Sequence, residues 1–297
     1  EFEIPVVKNN DQEAMERLQR MVGPFILRRL KQDVLRDLPE KTEEVRYVQM
    51  TGKQRKLYDG QAIHLRSLLD HQSEEEFNNS RFQVLTELTR LRQICCDPAL
   101  CFEDYGDETA KTDACMELVQ SAVDGGHRLL VFSQFTSMLD ILSARLDGEH
   151  VEHFMITGST PKEKRLQLVN AFNGGAVPVF LISLKAGGVG LNLTGADMVV
   201  HYDPWWNLAA QNQATDRAHR IGQQKNVTVY KLITKDSIEE KVLELQETKR
   251  ELADRIRKTG IRRICTGHCT GERAMEILKE ELGDMAEQIY TGFEIEV

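Results

Sequence analysis

Two arginines near the end of a predicted helix are the residues best suited to chemistry in this sequence. The segment QATDRAHRIGQ places Gln213, Arg217 and Arg220 at i, i+4 and i+7. This spacing puts all three on one face of a helix that Gly222 would end. A planar guanidinium pair suits a phosphate group or a charged partner surface. An ordinary solvated helix face is the alternative, since most arginines on helices contact only water.

A glycine-rich segment follows one of the apolar runs. The stretch SLKAGGVGLNLTGA holds Gly187, Gly188, Gly190 and Gly195. Glycines after a strand let the backbone approach a phosphate closely, although a tight strand-to-helix turn explains them equally well. The 297 residues contain no G-x-x-x-x-G-K-[ST] phosphate-binding loop. The sequence therefore offers candidate arginine fingers without an obvious nucleotide cradle.

Apolar runs alternate with helical patterns through the region that carries these residues. The predicted strands are 128–135, 153–158, 179–184, 198–203 and 227–233, and the predicted helices are 136–147, 161–172 and 207–221. The alternation predicts an α/β fold, with a parallel sheet covered by helices on both faces. Ligands of such sheets bind at the carboxyl ends of the strands. The loops SQFTS, TGSTP, SLKAGGVGLN and DPWWN all fall there.

Composition and charge restrict the function classes. With 41% apolar and 29% charged residues the chain is globular, and no apolar run approaches a membrane span. Six cysteines without a paired CxxC pattern favour reduced thiols in an intracellular protein. The net charge of −9 argues against indiscriminate nucleic-acid binding. Residues 127–235 nevertheless hold 11 Lys/Arg against 8 Asp/Glu, which is compatible with local phosphate contact.

The regions on either side of this alternating segment are predicted to be mostly helical. Helical apolar spacing occurs at 13–22, 25–35, 53–70 and 82–95, and a long charged helix covers 237–258. A short alternating strand is predicted at 45–50, and the polar residues 72–80 are predicted to form a loop. These regions surround the parallel sheet and carry no motif of their own.

Four motifs in a fixed order carry a family resemblance. SQFTSMLDIL, ITGSTPKEKR, LISLKAGGVGLNLTGADMVVHYDPWWN and QATDRAHRIGQ resemble the second motor lobe of Swi/Snf-type ATP-dependent DNA translocases, which are relatives of superfamily-two helicases. GPFILRRLKQDVLRDLPEK resembles the segment that joins the two lobes. The resemblance covers roughly residues 1–257 and implies a RecA-like lobe.

The resemblance implies roles for particular residues. Gln213, Arg217 and Arg220 match the sixth helicase motif, with Arg220 as the finger on the γ-phosphate of ATP. The glycine loop matches the fifth motif, near nucleotide and DNA, through Gly188, Gly190 and Asn192. The residues expected to contact the DNA backbone are Ser133, Gln134, Thr157, Gly158, Ser159, Thr160, Ser183, Lys185 and Trp205. One of the two tryptophans after Pro204 is expected to pack in the core.

The tail departs from this family. Residues 260–297 resemble the closing segment of metallo-β-lactamase-fold hydrolases, in which the histidine matching His268 ligates a metal. Cys265 and Cys269 lie nearby, but no second histidine cluster supports a site, so no metal is expected. The expected domains are 1–40 (end of the first lobe and linker), 41–125 (helical insertion), 126–235 (RecA-like lobe), 236–259 (bracing helix) and 260–297 (tail).

The resemblance also implies what the chain needs from others. The P-loop lysine and the Mg²⁺ ligands belong to a first lobe, so this chain is expected to be half of a DNA-dependent ATPase, inactive without that lobe in cis or trans. The expected partners are double-stranded DNA and a candidate nucleoprotein substrate, without a membrane. The compartment is the cytoplasm or nucleoid for a prokaryotic source, which is favoured, and the nucleus for a eukaryotic one. The alternatives are a non-enzymatic DNA- or protein-binding remnant and a metal-dependent hydrolase fragment.

Overall fold

The computed structural model describes residues 38–50, 52–69, 74–184, 186, 190–258, 264–266 and 286–288. The helices predicted at 13–22 and 25–35 lie outside these residues. No helix within the described ranges has the length and apolar content needed to cross a lipid bilayer.

A six-stranded parallel sheet forms the centre of the described chain. Its strands are β1 (Lys41–Val48), β2 (Leu129–Ser133), β3 (His153–Ile156), β4 (Val179–Ser183), β5 (Met198–His201) and β6 (Val227–Thr234). They lie in the order β1-β6-β5-β2-β4-β3, and every neighbouring pair is parallel. The α/β fold with a parallel sheet is therefore confirmed.

Helices cover the sheet and extend from it. They are α1 (Gly52–Leu69), α2 (Glu74–Cys96), α3 (Ala110–Asp124), α4 (Thr136–Gly148), α5 (Lys162–Asn173), α6 (Leu208–Thr215) and α7 (Ile238–Lys258). Two short strands, β7 (Ile264–Thr266) and β8 (Ala286–Gln288), pair in parallel as a separate sheet.

The two faces of the sheet bury separate apolar layers. Helices α3 and α4 pack against one face, where β2 contributes Leu129 and Val131. Helix α5 and the end of α6 pack against the other face, where the same strand contributes Leu130 and Phe132. All five residues of β2 are buried because side chains alternate between two covered faces. Burial on both faces explains why the sequence shows continuous apolar runs at these strands.

Residues outside 126–235 also build the sheet and its cover. Strand β1 pairs along its whole length with β6, from Lys41 beside Val227 to Val48 beside Thr234. Helix α3 supplies several side chains to the apolar layer beneath α4. Helices α1 and α2 form their own small core around Tyr58 and Leu91. The division into domains stays a prediction.

Three predicted elements differ from the structure by more than two residues at one end. Residues 72–80 are not all loop, because α2 begins at Glu74; acidic residues in a first turn are favoured by the positive end of the helix dipole. The strand predicted at 45–50 begins earlier, at Lys41, because pairing with β6 extends it. The helix predicted at 207–221 ends at Thr215, with consequences for the two arginines.

Candidate functional site

Several predicted site residues meet at one edge of the sheet. All six strands run parallel, so the segments that follow them emerge on the same side. Neighbouring strands lie about 5 Å apart, which makes the loops after β2, β4 and β3 adjacent. Ser133 ends β2 directly beside Ser183 at the end of β4. The predicted DNA loops after β2, β3 and β4 therefore share this carboxyl edge, where the glycine loop also begins.

The two arginines do not lie on a helix face with Gln213, and that prediction is wrong. Helix α6 ends at Thr215, and the amide of Arg217 bonds to the carbonyl of Ala214 in a tighter turn (3.3 Å). The carbonyl of Arg217 accepts from the amide of Leu193 (2.9 Å), so it is not used to continue the helix. Helix α6 therefore ends in this tighter turn, before Gly222.

The side chains of this segment differ in exposure. Gln213 is exposed on α6 and Arg220 is exposed beyond it, whereas Arg217 is buried at 5% exposure. Burial lowers the pKa of the Arg217 guanidinium, and the like charge of Arg220 lowers it further. Two positive charges held close together favour an anion beside them. Within the described part of the chain Arg220 forms no ion pair with a carboxylate.

Gln223 fixes the arginine-bearing segment, defined as residues 216–223, to the loop after β4. Its side-chain amide donates to the carbonyls of Ala196 (2.7 Å), Ala218 (3.1 Å) and Thr194 (3.2 Å). Gly222 makes the turn before it at a φ of 102°, a conformation that residues with a Cβ rarely adopt. These contacts and this turn fix the backbone conformation of the segment.

The glycine loop is described only in part. Lys185, Gly187 and Gly188 lie outside the described residues. Gly190 is exposed, and a Cβ built there would meet no described atom within 4 Å. Asn192 is exposed, and its carbonyl accepts from the side chain of Asn173 (2.8 Å).

The two predicted serines are buried beneath the loops. Ser133 is 0% exposed and Ser183 is 1% exposed. The hydroxyl of Ser133 donates to Asp203 (2.6 Å), and the hydroxyl of Ser183 accepts from the amide of Ala186 (3.2 Å). Both hydroxyls therefore hold the edge together from inside. Gln134, next in sequence, is half-buried.

The Thr157–Thr160 loop is the most open of the predicted DNA contacts. Gly158 and Ser159 are exposed, and the amide of Thr157 bonds to the hydroxyl of Thr160 (3.0 Å). Arg165 on α5 donates to the carbonyls of Thr160 (2.8 Å), Gly158 (2.9 Å) and Thr157 (3.1 Å). These bonds turn the carbonyl groups inward.

The loop after β5 is held by helices from three parts of the chain. Arg92 of α2 donates to the carbonyl of Pro204 (2.7 Å), and Gln246 of α7 donates to the carbonyl of Trp205. The amide of Trp205 bonds to Gln211 of α6 (3.4 Å). Trp205 is half-buried, and the neighbouring Trp206 is 38% exposed.

Metal ligands do not cluster in the described part of the chain. No group of three or more His, Cys, Asp and Glu side chains there could hold a metal ion. Cys265 is placed only by the backbone of β7, and His268 and Cys269 lie outside the described residues. Among the described cysteines, burial raises the pKa of the Cys115 thiol to about 12.

Four organising residues were missed at the sequence level: Arg92, Arg165, Asp203 and Gln223. Asp203 lies two residues after the buried strand β5, a position that could have singled it out. Arg165 follows the TGSTP loop by one helical turn, which is a weaker signal. The only sign for Arg92 is its place in an otherwise apolar helical row, since its partners are distant in sequence. Gln223 carries no sign, because its partners are backbone carbonyls.

Family models match most of the chain. The helicase conserved C-terminal domain matches residues 110–222, and the SNF2-related domain matches residues 1–100. Neither match extends into residues 260–297. The resemblance of that tail to metallo-β-lactamase-fold hydrolases is not supported by these comparisons.

Individual relatives agree with the family models. The chain is 37% identical over 249 residues to the uncharacterized ATP-dependent helicase MG018 of Mycoplasma genitalium, covering 82% of this chain and 24% of that protein. It is 33% identical over 288 residues to the human SWI/SNF-related matrix-associated actin-dependent regulator of chromatin subfamily A member 1, covering 93% and 27%. The chain thus spans about a quarter of the length of these relatives.

A solved structure agrees in fold and sequence. The Sulfolobus solfataricus SWI2/SNF2 ATPase core in complex with dsDNA superposes with a TM-score of 0.64 and 31% identity, covering 95% of this chain and 58% of that one. The chain therefore belongs to the Swi2/Snf2 family and carries that family's helicase conserved C-terminal domain.

Proposed function

We propose that this chain provides the second motor lobe of an ATP-dependent translocase on double-stranded DNA. The observation that carries the proposal is the hydrogen bond from the amide of Leu193 to the carbonyl of Arg217. Together with the Gln223 side chain, it joins the arginine-bearing segment to the glycine loop. The candidate nucleotide-binding residues of the two motifs thus belong to segments that contact each other, which supports the proposal.

The arginines fit the phosphates of ATP. Arg220 is exposed and lies close enough to Arg217 to lower the pKa of the Arg217 guanidinium, so an entering phosphate would be met by two positive charges. An arginine finger neutralises charge that spreads over the transferring phosphoryl group and is worth about 10³–10⁵ in rate. Gln213, exposed on α6, is the third candidate.

The glycine loop supports close approach of a ligand. The missing side chain at Gly190 is not required by packing, since a Cβ there would meet no described atom within 4 Å. Gly188 and Asn192 share the loop and the proposed role. The described residues show no carboxylate cluster for Mg²⁺, so the ligands of the Mg²⁺ that accompanies ATP would belong to a P-loop lobe, in cis or trans.

Duplex DNA fits the loops of the carboxyl edge. Three adjacent strands end in candidate DNA contacts: Gln134 follows β2, the Thr157–Thr160 loop follows β3, and the segment with Ser183 and Lys185 lies at the end of β4. Trp205 follows β5. Hydroxyl, amide and backbone N–H groups bind phosphates without reading the base sequence. Ser133 and Ser183 act from beneath these loops, because their hydroxyls are buried.

The relatives suggest the setting of this activity. One solved relative is described as a complex with dsDNA, and the human relative as a regulator of chromatin. We therefore extend the proposal to duplex DNA as partner and nucleoprotein as candidate substrate. The relatives include bacterial helicases as well as chromatin regulators. The proposed setting is therefore the nucleoid if the source is prokaryotic and the nucleus if it is eukaryotic.

Hydrolysis of ATP by a reassembled motor tests the proposal. The full chain is mixed with a separately expressed SNF2-family P-loop lobe, with and without duplex DNA, and turnover and association are both measured. We expect DNA-stimulated turnover only in the mixture, reduced at least a thousandfold by Arg220→Ala. Gln224→Ala, an exposed change next to the segment, is the control and should keep full turnover.

Two results would contradict the proposal. Unchanged turnover in Arg220→Ala would remove the arginine finger. Lobes that associate but never hydrolyse ATP would instead favour a DNA- or protein-binding remnant.

A further inference from the structure

Asp203 links the loop after β5 to the loop after β2. Its carboxylate accepts from the hydroxyl of Ser133 (2.6 Å) and from the amide of Gln134 (3.1 Å). The hydroxyl of Ser133 in turn accepts from the amide of Phe135 (3.1 Å). The side chain of Asp203 is 0% exposed. One buried carboxylate therefore sets the backbone path of the loop that carries Gln134.

The positive charge that neutralises Asp203 comes from outside the sheet. Arg92 lies on α2, and its guanidinium approaches the carboxylate to 3.4 Å while donating to the carbonyl of Pro204 (2.7 Å). The guanidinium carbon lies 5.6 Å from the ring centres of Phe135 and Trp205. The Nε group is buried without a hydrogen-bond partner. A buried carboxylate needs such a charge, since removing the partner leaves an uncompensated ion.

We propose that Arg92 is a positioning residue that orders the Ser133–Phe135 loop for DNA-backbone contact, acting through Asp203 and the Pro204 carbonyl. The inference rests on the proposed DNA-binding function. It assigns to α2, which lies outside the sheet, a direct part in shaping the carboxyl edge. Arg92 stacks against Phe135 from the same loop, so it holds both the backbone and the ring of that segment.

Arg92 is too deeply buried to contact DNA itself. Its side chain is 3% exposed, and its Nη2 group donates to Asp203 and to the carbonyl of Pro204. A positioning role and a direct phosphate contact therefore predict different salt dependence. Loss of a cation bound to phosphate lowers the slope of log K against log salt by about 0.9, because counterions are no longer released. Loss of a buried positioning cation leaves that slope unchanged.

The test combines DNA binding with backbone exchange in the full chain. Dissociation constants for a random-sequence duplex are measured at four salt concentrations for wild type, Arg92→Met, Arg92→Lys and Arg92→Met/Asp203→Asn. Lys225→Met is the matched control: it removes the same charge from an exposed side chain paired with Asp197, before β5. Hydrogen exchange at the amides of Gln134 and Phe135 is followed in the same proteins without DNA.

The proposal predicts a specific pattern. Arg92→Met raises Kd about tenfold, equivalent to about 1.4 kcal/mol, with an unchanged salt slope and faster exchange at both amides. Arg92→Lys keeps the charge and loses less affinity. Adding Asp203→Asn to Arg92→Met removes the uncompensated carboxylate but keeps an acceptor, so affinity and protection partly return. Lys225→Met leaves both amides protected.

Other outcomes overturn the proposal and separate it from the proposed function. Wild-type affinity and exchange in a folded Arg92→Met would overturn it, as would a salt slope reduced by about 0.9, which indicates direct contact. Failure of the wild type to bind duplex DNA would overturn the DNA-binding function itself. The exchange data would then still report whether Arg92 orders the loop.

Discussion

Two buried ion pairs lie close together in this protein and are built differently. Lys111 of α3 meets both carboxylate oxygens of Glu239 at 2.6 Å, and Glu239 also accepts from the amide of Thr234 (2.7 Å). Arg92 reaches Asp203 only at 3.4 Å, and its Nε group has no hydrogen-bond partner. The first pair is tight and fully bonded, whereas the second is loose and shared with a loop.

The difference separates holding the fold from shaping the site. Glu239 fixes the turn between β6 and α7 to the first turn of α3, and its bonds reach none of the predicted ligand loops. Asp203 instead divides its oxygens between Arg92, Ser133 and Gln134. We infer that the tight pair serves stability and that the loose pair serves the arrangement of the carboxyl edge.

Breaking the tight pair should have the largest effect. Lys111→Met leaves the buried carboxylate of Glu239 without its charge partner, and we expect the free energy of unfolding to fall by about 3–5 kcal/mol. Urea unfolding followed by circular dichroism measures it. Adding Glu239→Gln, which keeps an acceptor for the Thr234 amide, should restore part of the loss. A loss below that of Arg92→Met would contradict the comparison.

Breaking the loose pair should cost less stability. In Arg92→Met the carboxylate of Asp203 keeps the Ser133 hydroxyl and the Gln134 amide as donors. We therefore expect a loss of about 1–3 kcal/mol, which is the range for one unsatisfied buried partner. The same urea titration measures it, with Arg92→Lys as the conservative control. Equal losses for the two methionine variants would show that both pairs serve the fold alike.

Acid should lower the stability of the protein through a third buried group, His201. Burial lowers the pKa of His201 to about 3, from an ordinary value near 6.5. The unfolded chain therefore takes up a proton below pH 6.5 that the folded chain does not, and stability falls as the pH drops from 6.5 towards 3. At pH 5 this proton uptake lowers the free energy of unfolding by about 2 kcal/mol.

His201→Gln isolates this contribution. Urea unfolding of both proteins at pH 7.5 and pH 5 should show a smaller decrease in stability for the variant. Identical pH dependence in the two proteins would mean that His201 is protonated in the folded state.

An exposed pair should have the smallest effect. Lys225 approaches Asp197 to 3.0 Å, but its side chain is 59% exposed, and Asp197 keeps His127 as a second partner. Lys225→Met should change the free energy of unfolding by about 1 kcal/mol or less. Salt should reduce the difference further, which thermal unfolding at two ionic strengths would show. A loss like that of Arg92→Met would indicate that burial does not decide these effects.

Local patterns predicted the sheet and missed what distant contacts decide. The apolar run around Leu130 predicts a buried strand because a strand covered on both faces needs apolar side chains at every position. This pattern does not depend on which helices cover the strand. The helix predicted through Arg217 ends early, at Thr215: the Arg217 amide bonds to the carbonyl of Ala214 in a tighter turn, and the Arg217 carbonyl accepts from the distant Leu193. Nothing in residues 207–221 predicts the contact with Leu193.

The candidate site follows the same rule. The loops could be placed at one edge because parallel strands fix their direction. The burial of Ser133 and the partner of Arg92 could not be predicted, since Arg92 and Asp203 lie 111 positions apart. An arginine in an otherwise apolar helical row, as in LTRLRQICC, was the one available sign of a buried charge.

Strand β1 has a consequence for how the chain folds. Its residues pair with β6, and Thr42 and Thr228 are separated by 186 positions. During synthesis β1 therefore emerges long before its partner exists, and its hydrogen-bonding groups stay unpaired until β6 has been made. Pairings this distant in sequence form slowly, because the closure entropy precedes the gain from contact. The β1 edge of the sheet is thus expected to be the last part to form. A chaperone would then meet this protein while β1 is still unpaired.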